Sequence, residues 1–430
     1  MNLSALAVRL RAAFWLVPAI CVLAAMIAAP LIANLDAAVS PAGGTWFVGG
    51  PESARQILGV TAASVLTFAG LVFSITIVAL QLASTQFSPR VLRSFLRDRY
   101  TQVALGLFIG TFSFALLTLR EVRGPETTGG EFVPGLGVSV TVMLALASVT
   151  AAMVYIHHMA QSVRVVVIID RIAADTRRSL DHLYPSAPRT RATGPAPLTA
   201  RGPRRLVDAI DTGVLTYIDT EDLLEAAQDH DLTIELLADP GTFVIAGQPL
   251  FQVTGSTKFD VAPLHDLVDF EPEREISQDP AYGFRQLVDI AERAISPAVN
   301  DPTTAVQCID RIHALLRRIA TRDLSVGNHV VDGILRLRVP MPGWVDYVSL
   351  ACDELRHWGA GVPRIHRRLE TMLRDLRDHV DEDRSAAIVQ QLRLLESSRR
   401  EHMPEYEWDT ILGPGDPAER PPHRDAADTA

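Results

Sequence analysis

Four stretches of this chain contain no Asp, Glu, Lys or Arg: residues 12–35, 56–89, 100–119 and 132–163. A helix needs roughly 20 apolar residues to cross about 30 Å of hydrocarbon, and each stretch is long enough. In lipid the backbone must satisfy its own polar groups, so apolar stretches of this length are helices. Residues 1–160 are therefore expected to form a four-span transmembrane domain. The first stretch also has the look of a secretory leader, with Arg9 and Arg11 as its basic region. Its length, Pro18 and Pro30 within it, and the three spans behind it favour a retained helix, with cleavage as the alternative.

Charge divides the chain at the same place. Residues 1–160 carry nine Arg against six acids, and the remainder carries 31 basic against 44 acidic residues. An acidic soluble part lacks the footprint that phosphate backbones require, so nucleic acid is not an expected partner. Lys258 is the only lysine. Cys21, Cys308 and Cys352 form no CxxC pattern, which argues against a zinc site or a disulfide framework. No metal or other cofactor is expected.

Basic residues in short loops set orientation. Arg90, Arg93, Arg97 and Arg99 face a single acid, Asp98, between spans two and three, and the N-terminus carries two Arg and no acid. Both lie on the cytoplasmic side in this reading, and four spans return the C-terminal part to that side. The expected location is a bacterial inner (plasma) membrane, with multiple spans and both termini cytoplasmic. In SPRVLRSFLRDR at 88–99, Ser88 suits an N-cap and Pro89 the first helical position. Arg90, Arg93 and Arg97 share one side of that short helix. With Arg99 they are candidate contacts for lipid head groups, each contributing about 1 kcal/mol near anionic lipid. A topology anchor is the plainer reading.

Span two exceeds a simple crossing. Thr67, Ser74, Gln81 and Ser88 recur every seven residues along it, with Gly70 and Ser84 nearby. Such a stripe serves close helix packing, or it lines a path. Gly106 and Gly110 in span three have GxxxG spacing, and packing is the reading there. After His157 and His158 the apolar periodicity continues through Val163, Val166, Ile169 and Ile172. That pattern predicts one uninterrupted helix, with residues 161–184 extending span four.

Residues 185–204 are rich in Pro, Ala and Arg and read as a linker. Alternating apolar residues at 206–219, 232–237 and 241–253 predict short strands, with a helix near 221–229. The Gly241…Gly247-Gln248-Pro249-Leu250 pattern resembles half of a lipoyl- or biotinyl-type module, without a lysine at the hairpin tip. A small β-barrel-like module over 205–260 is expected. Residues 261–410 read as mainly helical: 282–295, 302–320, 344–357, 361–380 and 383–402, with a strand at RLRVP, 336–340. Asp301 is the N-cap and Pro302 the first residue of the second helix. Ser296, Pro297, Asn300, Asp301, Pro302 and Thr303 form the candidate functional motif of this part, where free helix N–H groups and hydroxyls could also receive an anion. Residues 411–430 are disordered by composition. The fold class is thus a transmembrane α-helical domain joined to an α+β part.

Three segments resemble one family: FSITIVALQLASTQFSPRVLRSFLRDR at 73–99, the G-x-F-V-x-x-G-x-P-L run, and QDPAYGFRQLVDIAERAISPAVNDPTTAVQCIDRI at 278–312. The family is a bacterial group of predicted membrane proteins catalogued as a domain of unknown function. The resemblance implies a role for 278–312 beyond capping and supplies no activity. No Walker loop, GxSxG, HExxH or nucleotide fingerprint occurs, so no enzyme is expected. Two readings of function follow. One is a channel- or transport-like homo-oligomer in contact with membrane lipids, with Thr67, Ser74 and Gln81 lining its path and the cytoplasmic part gating it. The other is a membrane-anchored sensor or scaffold for a ligand that the residues leave unspecified.

Overall fold

The structure is a computed structural model. It describes residues 15–39, 49–86, 99–124, 131–162, 164–184, 198–325 and 327–403. The expected interfacial helix at 88–99, apart from Arg99, most of the linker and the C-terminal tail lie outside them. The chain divides into two compact units, Met1–Arg164 and Val165–Ala430.

Among the described residues the first unit holds four helices: α1 (Leu16–Val39), α2 (Pro51–Gln86), α3 (Arg99–Glu121) and α4 (Gly135–Ser162). All four are long and apolar enough to cross a bilayer. They differ in burial. Over half of the α3 span (56%) is covered, against 17–28% for the others, so α3 is the central helix. Its two glycines make that position possible. A Cβ at Gly106 would sit 2.9 Å from Cys21 Sγ, and one at Gly110 would sit 3.2 Å from Cys21 Cβ. The GxxxG spacing is a seat for α1, as small residues at membrane helix contacts usually are. Phe108, Val65, Val72, Tyr155 and Met159 fill the interior between α2, α3 and α4. Within it, the hydroxyls of Thr76 and Tyr155 lie 2.7 Å apart, and both reach the Val72 carbonyl. Hydrocarbon offers these groups no water, so they satisfy one another.

Asp36 stands just past the uncharged stretch 12–35 yet lies inside α1, buried, and accepts a 2.8 Å hydrogen bond from the Leu136 N–H. That N–H is one of the four unpaired donors at the start of α4, where a carboxylate is also favoured by the helix dipole.

The second unit opens with α5 (Val165–Leu183). Two helices, α4 ending at Ser162 and α5 starting at Val165, replace the single helix that the periodicity suggested. Among the described residues there are nine strands: β1 (Leu198–Thr199), β2 (Arg204–Asp208), β3 (Gly213–Ile218), β4 (Thr233–Leu236), β5 (Phe243–Val244), β6 (Pro249–Thr254), β7 (Val268–Glu271), β8 (Asn328–Val331) and β9 (Ile334–Arg338). Those from β2 to β6, and β9, overlap the segments that alternation marked, whereas β1, β7 and β8 lie outside them. A helix α6 (Thr220–Asp229) starts at Asp219, whose carboxylate accepts from the Asp222 N–H.

The strands do not close into a barrel. They form an open six-stranded sheet, β1-β9-β4-β6-β2 with β8 on β9, and a separate three-stranded sheet, β5-β3-β7. The reason lies in β9. This is the RLRVP segment, which runs parallel to both β1 and β4 and occupies the β4 edge that a barrel would need for closure. The β region is therefore no self-contained module, because the region expected to be mainly helical lends it three strands, β7, β8 and β9. Leu215, Ile218, Leu223, Ile234, Phe251 and Leu337 bind the two sheets and α6 into one core.

Five further helices are found among the described residues of the unit: α7 (Pro280–Ile295), α8 (Pro302–Ile319), α9 (Trp344–Trp358), α10 (Pro363–Arg377) and α11 (Glu382–His402). Two buried arginines close helix ends among them. Arg322 donates to the Leu180 and Tyr184 carbonyls at the end of α5, and to Asp181. Arg384 donates to the carbonyls of Ile319, Ala320 and Arg322 beyond α8. The last carbonyls of a helix lack partners within it, and a cation answers both the hydrogen-bond deficit and the dipole.

Candidate functional site

Residues 278–312 build a helix–turn–helix, α7 and α8. Both helices begin alike. Asp279 accepts from the Tyr282 N–H at 3.1 Å ahead of Pro280, and Asp301 accepts from the Thr304 N–H at 3.1 Å ahead of Pro302. Asp279 is buried and is also gripped by Arg274, with Nε 2.7 Å from Oδ2. Burial pushes its carboxyl up, and the Arg274 charge and hydrogen bond oppose that shift. At the exposed turn Asp301 behaves differently. The Thr304 hydroxyl, 2.6 Å away, holds its carboxylate below the usual range.

The turn brings the sequence candidates together. Ser296 Oγ donates to the Arg293 carbonyl, and Asn300 takes a left-handed conformation (φ +48°). The Asp301 N–H then folds back onto the Ala294 carbonyl at 2.7 Å. Asn tolerates that backbone region better than most residues. Thr303 Oγ1 accepts from Arg364 of α10 at 3.2 Å. Ser296, Asn300, Asp301 and Pro302 thus have local structural roles. Pro297 and Val299 stand at the surface of the turn.

The other face of α7 carries a group that the sequence reading missed. Arg285, Asp289 and Glu292 share that face, and Arg285 Nη1 pairs with Glu354 of α9. Glu292 hydrogen-bonds Glu354 in turn, and its Oε1 is buried with no partner of its own. Burial, the bond to Glu354 and the charges of Glu354 and Asp289 raise the Glu292 carboxyl to about 7. Arg285 lowers that of Glu354. The pair therefore shares one proton near neutral pH, with Glu292 as donor, because two adjacent carboxylates resist joint ionisation. The i, i+4, i+7 spacing on α7 was visible in the sequence. Glu354, 69 positions from Arg285, was not.

This pair sets a pH dependence. A folded value raised above the unfolded one means that the folded state keeps a proton the unfolded chain has lost. The contribution of Glu292 is then most favourable below its unfolded value near 4.5, and falls as pH rises towards 7. Glu292→Gln imitates the neutral acid and still donates to Glu354. It should melt several degrees above the wild type at pH 8 and together with it at pH 4.5, in thermal melts of the full chain. Equal shifts at both pH values would contradict the shared proton.

The other candidates lie in the first unit. Thr67, Ser74 and Gln81 all occur on the exposed face of α2. Thr67 Oγ1 donates to the Ala63 carbonyl and Ser74 Oγ to the Gly70 carbonyl, both at 2.9 Å. A Cβ added at Gly70 would meet nothing within 4 Å, so that face has open space beside it. Arg99 begins α3, while Arg90, Arg93 and Arg97 lie outside the described residues. Among the described residues, no group of three or more His, Cys, Asp or Glu is placed to hold a metal ion.

Comparison with known proteins agrees with the membrane reading. Residues 11–375 match the model of a family described as predicted membrane protein (DUF2254). The chain is 34% identical over 380 residues to an uncharacterized protein of Mycobacterium bovis, covering 85% of this chain and 72% of that relative. An uncharacterized protein of Mycobacterium tuberculosis gives the same figures. No solved structure matches.

Proposed function

The chain belongs to that family of predicted membrane proteins, and on this premise we propose a channel- or transport-like homo-oligomer of the bacterial inner membrane. Its termini lie in the cytoplasm, and the second unit gates it. The observation that carries the reading is the exposed polar stripe of α2. Within one protomer the interior between α2, α3 and α4 is filled by Phe108, Val72 and Tyr155. Thr67, Ser74 and Gln81 turn the other way, onto a face with open space at Gly70. A second copy laid along that face covers the stripe and encloses a path.

The hydrogen bonds also suggest a preference. Thr67 and Ser74 donate their hydroxyl protons to their own helix, so their oxygens offer lone pairs outward. A path lined by such acceptors favours cations. Recording from the purified protein in planar bilayers tests this. Conductance is expected, and Gln81→Leu should reduce it several-fold by drying the path. Absence of conductance, or a strictly monomeric protein in bilayers, overturns the reading.

A further inference from the structure

We infer a binding site for a phosphate monoester in the groove between α5 and α8, formed by Arg177, Arg311 and Arg318. The two helices run parallel and are fastened at two levels. Arg311 Nε bonds Asp170 Oδ1 at 2.6 Å, and Arg318 holds Asp181 through Nε and Nη2 at 2.6 and 2.7 Å. Between those levels the facing residues are small. Ala173, Ala174 and Ala314, with Leu315, leave a cavity of about 340 Å³. Pockets for small organic ligands begin near that size, at roughly 300 Å³.

The groove is apolar at its floor and cationic at its rim. Its lining includes three guanidinium groups against one carboxylate, Asp170. Arg311 commits only Nε to Asp170, and Arg318 keeps Nη1 unused by Asp181. Arg177 lines the groove and makes no hydrogen bond or ion pair with any described residue. Asp170 balances Arg311 and Asp181 balances Arg318, so Arg177 is the surplus cation, and the spare N–H groups of three guanidinium forks match the three acceptor oxygens of a phosphate monoester better than the two of a carboxylate. Planar guanidinium forks suit its oxygens. The alanine and leucine floor suits the carbon body that the phosphate is attached to. The fold itself does not need Arg177, whereas Arg311 and Arg318 fasten α5 to α8.

A phosphate monoester reaches the groove either as a soluble ester or as the head group of phosphatidic acid. Full-length protein in phosphatidylcholine nanodiscs separates the sources. One arm titrates glycerol 3-phosphate by calorimetry. The other counts bound phosphatidic acid by native mass spectrometry, with the lipid included in the disc. Binding in either arm is expected, to be weakened tenfold or more by Arg177→Gln and left intact by Arg178→Gln. Arg178 is the neighbouring exposed arginine, paired with Asp175 outside the groove. Binding in neither arm, or equal loss from both substitutions, overturns the assignment.

Discussion

Gly283→Ala should destabilise the second unit by roughly 3 kcal/mol, although alanine is the better helix former. In an open helix the exchange gains about 1 kcal/mol. Here a Cβ at position 283 would lie 1.8 Å from Thr176 Oγ1, 2.8 Å from Thr176 Cβ and 2.9 Å from its Cγ2. Gly283 is where α7 crosses α5, and the residues around it, Tyr282, Phe284 and Leu287, are buried. No rotamer of Thr176 clears its own Cβ, so the helices must separate. Denaturant unfolding of the full chain in detergent measures the cost. Thr176→Gly in the Gly283→Ala background should restore a large part of it, because the clash and its relief share one contact. Unchanged stability in Gly283→Ala would show that the crossing is looser than described.

Arg384→Met is the second large effect, on the order of 3–5 kcal/mol. The side chain is buried, and its guanidinium donates to three carbonyls, Ile319, Ala320 and Arg322, at 2.6–3.0 Å. It also lies over the Trp344 ring, 5.5 Å from the centroid, while Trp344 Nε1 donates to the Arg384 carbonyl. Methionine replaces the volume and leaves three acceptors without donors. Arg384→Lys keeps the charge and cannot reproduce the fork, so it should fall between the two. The same unfolding measurement reads both. A methionine variant as stable as the wild type would mean that water replaces the guanidinium freely.

Features carried by neighbours in sequence were legible. The spans follow from the absence of charge, and the α8 start follows from Asp301 and Pro302. The α7 start was placed two residues late, although Asp279 and Pro280 repeat the same pair. What escaped depends on partners far along the chain. Asp36 reaches Leu136, and Thr176 meets Gly283. Arg384 reaches back 65 positions to Ile319. Periodicity shows that a helix has a buried face, and it does not name what covers that face. The β region failed for the same reason. The strands from β2 to β6 were found, β1, β7 and β8 were not, and closure into a barrel was inferred without the strand that takes the β4 edge. In the candidate turn, the capping carboxylate of Asp301 was anticipated, while the proton shared by Glu292 and Glu354 required knowing that α9 lies beside α7.

That β4 edge has a consequence for the order of events during synthesis. Thr233 Oγ1 donates to the Leu335 carbonyl, 102 positions downstream. A ribosome adding about 5–20 residues per second needs several seconds to deliver β9 after β4. Through that interval β4 presents an unpaired edge, open to any strand that arrives first. The helices α7 and α8 lie between the two strands and pack on each other without them. Nascent chains stalled before residue 334 should therefore hold a helical pair and an unfinished sheet, and it is at this stage that a chaperone has most to protect.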